Sequence, residues 1–325
     1  MQGQLDAWLD ALAGDDEDFV DRAWRLVVRR AAEEPARSLA LEKLRDGTLS
    51  RAGLLRQLVG SEEFERVEAL DAGLAFAAAE RAKPRPVAGP ARPRALRAPA
   101  GSDERAIEVP WCLARYGGES RVLDVGYAFA EPAYLAALTA LGARELVGVD
   151  LAEADVPGLR SVHADVRSLP FENGEFDLAY CISTLEHVGR DNDVYAVDAP
   201  RDETGDESAL RELRRVAARV VVSVPTGVAE HHGWQVVRSP LEWIDVFERA
   251  GFLVFEDELY VRTESGWSAA SLTDAARARY EGPGAGAVLL AELHPRSVQE
   301  KLRLAVRDVR HRDAPRRSTL AQKDA

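Results

Sequence analysis

The sequence predicts a three-layer α/β/α protein: a doubly wound, mostly parallel sheet of about seven strands, preceded by a small all-α domain. Three observations lead there. From residue 104 onward, short β-branched runs alternate with helical patterns. The first quarter of the chain has helical spacing throughout and no strand signal. Between the two runs KPRPVAGPARPRALRAPAGS, rich in Pro and Arg. The expected boundaries are a helical domain over 1–82, a linker over 83–103, the α/β domain over 104–295 and a basic tail over 296–325.

Each element has its own signal. Phe19, Ala23, Leu26 and Val27 recur at helical spacing. Pro35 suits the first turn of the next helix, which Asp46-Gly47 ends. Ser50 reads as the N-cap of RAGLLRQLV, and a further helix starts near SEEFERV. Proline favours extended backbone, so the linker reads as a semi-stiff tether. RVLDVG is then a first strand, and EPAYLAALTALG a helix with Pro132 in its first turn and Gly142 at its end. ELVGVD, SVHAD and FDLAYCIS follow as strands, ALRELRRV as a helix, and ARVVVSVP as a fifth strand. Ser239-Pro240 opens the helix LEWIDVFERA, and Gly251 closes it. FLVFEDELYV and GAVLLAELH are the last strands; with no full helix between them, they predict a hairpin at one sheet edge. In the tail, Val298, Leu302, Ala305 and Val309 form one apolar stripe of a predicted helix.

Composition narrows the function. A net charge of −13 opposes binding to a phosphate backbone, and no aromatics interleave the linker arginines, so no nucleic-acid partner is expected. Cys112 and Cys181 are too few for a disulfide framework and fit a reducing compartment. The first residues are acidic where a signal peptide is basic, and no apolar run is long enough to span a bilayer. The expectation is a cytoplasmic protein with no transmembrane segment.

Ligands of doubly wound sheets bind beyond the C-terminal strand ends, where the strand order reverses. The loop after the first strand reads Asp124-Val125-Gly126-Tyr127-Ala128-Phe129-Ala130-Glu131. Asp150 ends the second strand and Asp165 follows the third. Each acid alone would serve as a turn or helix cap. In three consecutive βα units they outline a nucleoside-shaped crevice, with Asp150 placed for ribose hydroxyls and Asp165 for the amine edge of adenine. After the fourth strand, His187 titrates near neutrality and is the first candidate for a general base; a structural role for Glu186-His187 is the alternative. Tyr195, in a long acidic loop, and His231, His232, Trp234 and Arg238, after the fifth strand, are candidate acceptor contacts. Adjacent histidines with no helix or turn to aim them make a poor metal site, so no metal is expected.

Taken together, VLDVG, LVGVDL, HADVRSLPFENGEFDLAYCISTLEHVG, RELRRV and VVVSVPTG resemble the class I S-adenosylmethionine-dependent methyltransferases, over 118–262 and onward to 294. The resemblance implies a Rossmann-like fold, S-adenosylmethionine as cofactor, and methyl transfer. It implies that Asp124 and Gly126, with Tyr127 and Ala128 of the same loop, lie near the methionine end. Asp150 and Leu151 would hold the ribose, and Asp165 and Val166 the adenine. Ser183, Leu185, Glu186 and His187 would face the methyl group and acceptor. STLEHVG at Ser183–Gly189, with Trp267 before the last strand, is similar to a bacterial branch linked to sugar and polysaccharide methylation. That likeness implies O-methylation of a sugar-type or other small-molecule acceptor. The first quarter, through Phe19–Val28, Asp46-Gly47-Thr48-Leu49-Ser50 and Ser61-Glu62-Glu63-Phe64, resembles a small bacterial helical domain that accompanies enzymes of cell-surface polysaccharide assembly. A protein partner is the expectation for it.

The loop departs from the family's G-x-G-x-G, having Ala128 and Ala130 at the second and third places. A non-catalytic, protein-binding relative is therefore one alternative. A nicotinamide-dependent enzyme is another, but G-x-G-x-x-G fails here. Ala128 and Glu131 stand at its second and third glycines, and Glu131 sets a negative charge where a pyrophosphate would sit.

Overall fold

A computed structural model describes residues 2–83, 96–195, 197, 199–280 and 284–296. The expected tail helix lies outside these residues.

Five helices come first: α1 (Gln2–Ala11), α2 (Asp16–Val27), α3 (Glu34–Arg45), α4 (Arg51–Val59) and α5 (Glu62–Arg81). Asp15, Ser50 and Ser61 cap α2, α4 and α5 by accepting backbone N–H bonds of the first turn. One stripe of α2, comprising Phe19, Val20, Ala23, Trp24 and Val27, is buried with Ala40 and Leu41 of α3 and with Leu54, Leu55 and Leu58 of α4. The start of α5 joins this core through Phe64. Its later residues Ala69, Leu70 and Ala77 instead pack with α6 (Arg105–Leu113). Gly73 permits that approach: a Cβ there would lie 2.4 Å from Pro110 Cγ. The expected linker ends in a packed segment, since Ala98 bridges Trp267 and the Trp267 indole N–H donates to Ser102 O at 3.0 Å.

The sheet follows, with β1 (Arg121–Val125), α7 (Pro132–Thr139), β2 (Glu145–Asp150), β3 (Arg160–His163), β4 (Leu178–Ile182), α8 (Gly205–Val216) and β5 (Val220–Thr226). A short hairpin of β6 (Glu230–His231) and β7 (Val236–Val237) precedes α9 (Pro240–Arg249), β8 (Phe252–Thr263), β9 (Gly266–Ala269), α10 (Leu272–Arg277) and β10 (Ala287–Pro295). The order is β3-β2-β1-β4-β5-β10-β8-β9. The strands from β3 to β5 are parallel, and β10, β8 and β9 antiparallel.

The sheet has eight strands, the four-residue β9 pairing with the end of β8. The expected hairpin is formed by β8 and β10, antiparallel neighbours at one end of the sheet, and β10 lies between β5 and β8. Its residues Ala287 to Leu293 are all buried, which requires a neighbour on each side and a layer on each face. β8 mixes buried and exposed residues, and β9 pairs with only its last four. Helix α6 is buried from Ala106 to Leu113, Glu108 included. It packs with α7 on one face of the sheet through Trp111, Tyr134 and Leu138, while α8 and α9 cover the other through Leu210, Leu213, Trp243 and Phe247.

Candidate active site

After β1 the chain runs outward to β2 and β3, then returns to place β4 on the other side of β1. The order reverses there, leaving a crevice between the diverging loops. The crevice opens into a cleft of about 1170 Å³, continuous with solvent, whose walls come from the tips of β1, β2, β3 and β4 and from the first turns of α6.

At the tip of β1, Asp124 is buried and accepts a hydrogen bond from the Tyr134 hydroxyl at 2.6 Å. Its Oδ2 has no hydrogen-bond partner. Burial pushes its carboxyl up to a pKa of about 7. Gly126 follows at φ +84°, and a Cβ there would meet Thr184 Oγ1 at 2.2 Å, so the turn requires glycine. Tyr127 does not reach the cleft: its ring packs under Gly148 in the core and its hydroxyl donates to Ala154 O at 3.1 Å. Ala128 contributes its backbone, donating to Asp150 Oδ2 at 3.0 Å, while Ala152 N donates to Oδ1 at 3.0 Å. The carboxylate of Asp150 thus braces the loop and lines the cleft beside Leu151.

At the tip of β3, Asp165 is clamped by Arg167 through Nη2 at 2.6 Å, Nε at 3.0 Å and the backbone N–H at 2.8 Å. Burial opposes its charge, but these bonds outweigh it and hold the carboxyl below its ordinary range. Arg167 also donates to Pro200 O at 2.8 Å, tying this tip to the long acidic loop. Val166 lines the same wall.

At the tip of β4, Ser183 is held at φ +49° by hydrogen bonds from its N–H to Ser223 O at 3.2 Å and Ser223 Oγ at 3.0 Å. Its own Oγ accepts from Arg105 Nη1 at 2.6 Å. His187 Nδ1 donates to Trp234 O at 2.9 Å, which leaves Nε2 as the ring atom with a lone pair. The imidazole stacks on Trp234 at 5.0 Å and meets the edge of Tyr195 at 5.6 Å. Burial depresses its pKa to about 4, so it is neutral at neutral pH. Tyr195 reaches over to Phe129 at 5.1 Å, bringing the β1 loop and the acidic loop together at the mouth.

Other sequence candidates stand outside the lining. Leu185 is fully buried in the core. Glu186 is buried behind the wall with Oε1 3.8 Å from His187 Nε2, and burial raises its carboxyl to about 7. Arg238 is committed to Asp206 at 2.5 Å and lies over the Trp243 ring. His232 pairs with Glu230 at 3.2 Å and packs on Tyr280, and His231 is exposed on β6. Trp234 acts on the cleft through His187. The physical reason is common to these six: loops after strands turn some side chains inward to fill their own bases and leave others facing solvent, and sequence spacing does not say which. Among the described residues, no group of three or more His, Cys, Asp or Glu is arranged to hold a metal ion.

Sequence reasoning missed Arg105, Val109, Glu131, Thr184 and Asn192, which also line the cleft. Arg105 comes from a helix that the sequence did not signal. Only Glu131 had been weighed, as an obstacle to pyrophosphate; it is the N-cap residue of α7 and sits in the cleft wall.

Residues 123–219 match the family model of a methyltransferase domain. S-adenosylmethionine is the cofactor that this match implies. No curated protein matches the chain. Among solved structures, the chain is similar to an S-adenosylmethionine-dependent methyltransferase from Thermotoga maritima, with 16% identity and a TM-score of 0.37, over 58% of this chain and 87% of that one. It is also similar to an S-adenosylmethionine-dependent methyltransferase from Methanosarcina mazei, with 12% identity and a TM-score of 0.37, over 55% and 93%. A third is the [4+2]-cyclase SpnF, with 16% identity and a TM-score of 0.41, over 73% and 97%. These likenesses concern the arrangement of elements alone.

Proposed function

We propose that the chain is an S-adenosylmethionine-dependent methyltransferase that methylates a hydroxyl of a sugar-type or other small-molecule acceptor. One observation carries the cofactor reading: the acids at the tips of β1, β2 and β3 line a single cleft at the reversal of strand order. The donor set suits a nucleoside that bears cations and no phosphate. Asp150 has a carboxylate for ribose hydroxyls, and Asp124 keeps a buried oxygen without a partner. A dinucleotide fits worse, because Glu131 stands at the N-terminus of α7, where a pyrophosphate would need positive potential.

The bound sulfonium supplies an already activated methyl group. The residues of the chain then have three tasks. Asp150, Leu151, Asp165 and Val166 fix the nucleoside. Phe129 and Tyr195 narrow the mouth and keep water out, and orientation of this kind is worth roughly 7–11 kcal/mol of barrier. His187 Nε2 receives the acceptor's proton, and its neutral state and the bond to Trp234 O keep that lone pair available. Glu186 stands 3.8 Å behind it as a second proton site. The sugar-type acceptor rests on the resemblance of Ser183–Gly189 and Trp267 to the polysaccharide-linked branch. A cytoplasmic location and a protein partner for residues 1–82 belong to the same proposal.

The test of the reaction is transfer of a labelled methyl group across a panel of sugar and phenolic acceptors, run with the wild type and His187→Gln. We expect turnover to fall about 100- to 10,000-fold in the variant with cofactor affinity unchanged. Equal turnover would remove His187 from the proton path.

A further inference from the structure

We propose that Arg105 is the binding residue for the α-carboxylate of the cofactor's amino-acid tail. The inference rests on the cofactor reading above and goes further, because Arg105 precedes the matched residues 123–219.

The strand order sets the direction in which a nucleoside lies. Asp165 is at the tip of β3, Asp150 at β2, and Asp124 with Gly126 at β1, so base, ribose and sulfur follow one another along β3-β2-β1. The tail then reaches the boundary of β1 and β4, where Ser183, Thr184 and Arg105 form the wall. A free amino acid's carboxylate needs a cation or several N–H donors there. Among the described residues, two arginines line the cleft. Arg167 has all three side-chain nitrogens engaged, Nε and Nη2 by Asp165 and Nη1 by Pro200 O, and lies at the base end. Arg105 uses only Nη1, toward Glu108 Oε2 at 3.1 Å and Ser183 Oγ at 2.6 Å. Its Nε and Nη2 make no hydrogen bond to the described residues, and its side chain is 36% exposed, facing the cleft.

The surroundings keep this cation in place. Glu108 is wholly buried beneath it, and Glu104, Asp103 and Glu186 add negative potential around it. Burial opposes its charge, and these carboxyls restore it. Ser183 sits in a left-handed conformation fixed by β5, which aims its hydroxyl at Nη1. Arg105 is therefore held at one end, with a planar fork left for a carboxylate.

The experiment is calorimetric titration of the 325-residue chain with S-adenosylmethionine and with its decarboxylated form, which differ by the carboxylate alone. It uses wild type, Arg105→Gln and Arg105→Lys. We expect wild type to prefer the carboxylated ligand by about 10- to 100-fold, the size of a charge-assisted contact. Arg105→Gln should lose that preference while binding the decarboxylated form as wild type does, and Arg105→Lys should keep part of it. Retained binding of the decarboxylated form also reports that the variant is folded. Equal loss for both ligands, or an unchanged preference in Arg105→Gln, would overturn the proposal and leave the cofactor reading intact. A wild type that binds neither ligand would overturn both.

Discussion

Asp124 changes its charge state in the range where binding would be measured. Burial holds its carboxyl near pKa 7, so at pH 6 it is mostly protonated and at pH 8 mostly a carboxylate. A ligand bearing sulfonium and ammonium charges favours the carboxylate. Affinity for S-adenosylmethionine should therefore fall about tenfold per pH unit below 7 and level off above it. Asp124→Asn should flatten this profile between pH 5.5 and 8.5; a wild type with a flat profile would show that Asp124 is not read by the ligand. His187 is linked to folding through its lowered pKa. Its folded pKa of about 4 lies below the unfolded value, so its contribution to stability is complete above pH 6.5 and is lost as pH falls toward 4. At this scale the sequence was informative about backbone-defined positions. Asp124, Gly126, Asp150 and Asp165 sit at strand tips, and strand tips can be read from β-branched runs. It was not informative about Tyr127, Leu185 or Arg238, whose direction depends on what packs beneath each loop.

At the scale of elements, the glycine loop is the most exacting part. Gly126 combines a left-handed φ with a 2.2 Å approach to Thr184 at its missing Cβ. Gly126→Ala should cost roughly 1–3 kcal/mol in denaturant unfolding and weaken cofactor binding, because the β1 and β4 tips must separate. The alanines at 128 and 130 are different. Ala128 serves through its backbone N–H, which Asp150 accepts, so the departure from G-x-G-x-G keeps the bond that shapes the turn. Several elements were illegible for definite reasons. Helix α6 has Pro110 inside it and only nine residues, and β6, β7, β9 and α10 are six residues long or shorter. The place of β10 inside the sheet was written in its unbroken apolar run, which a solvent-facing edge would not require.

At the scale of the molecule, α5 serves two cores. Phe64 belongs to the helical core, while Ala69, Leu70 and Ala77 cover α6, the helix that carries Arg105 into the cleft. The expected boundary at 82 would cut this cover away. A chain beginning at Ser61 should keep cofactor binding. One beginning at Pro84 should melt at a clearly lower temperature and bind weakly, since each large apolar side chain uncovered costs roughly 1.5–3 kcal/mol. Equal melting temperatures would show that α6 does not depend on α5.

The claim on which the account rests is that the acids at three strand tips form one nucleoside site. Calorimetric titration of the 325-residue chain with S-adenosylmethionine, beside Asp150→Ala, tests it most directly. We expect one-to-one binding near micromolar affinity, weakened at least about tenfold in the variant by loss of the ribose contacts and of the brace to Ala128. A folded wild type that binds no S-adenosylmethionine, or an Asp150→Ala variant that binds it equally well, would contradict it.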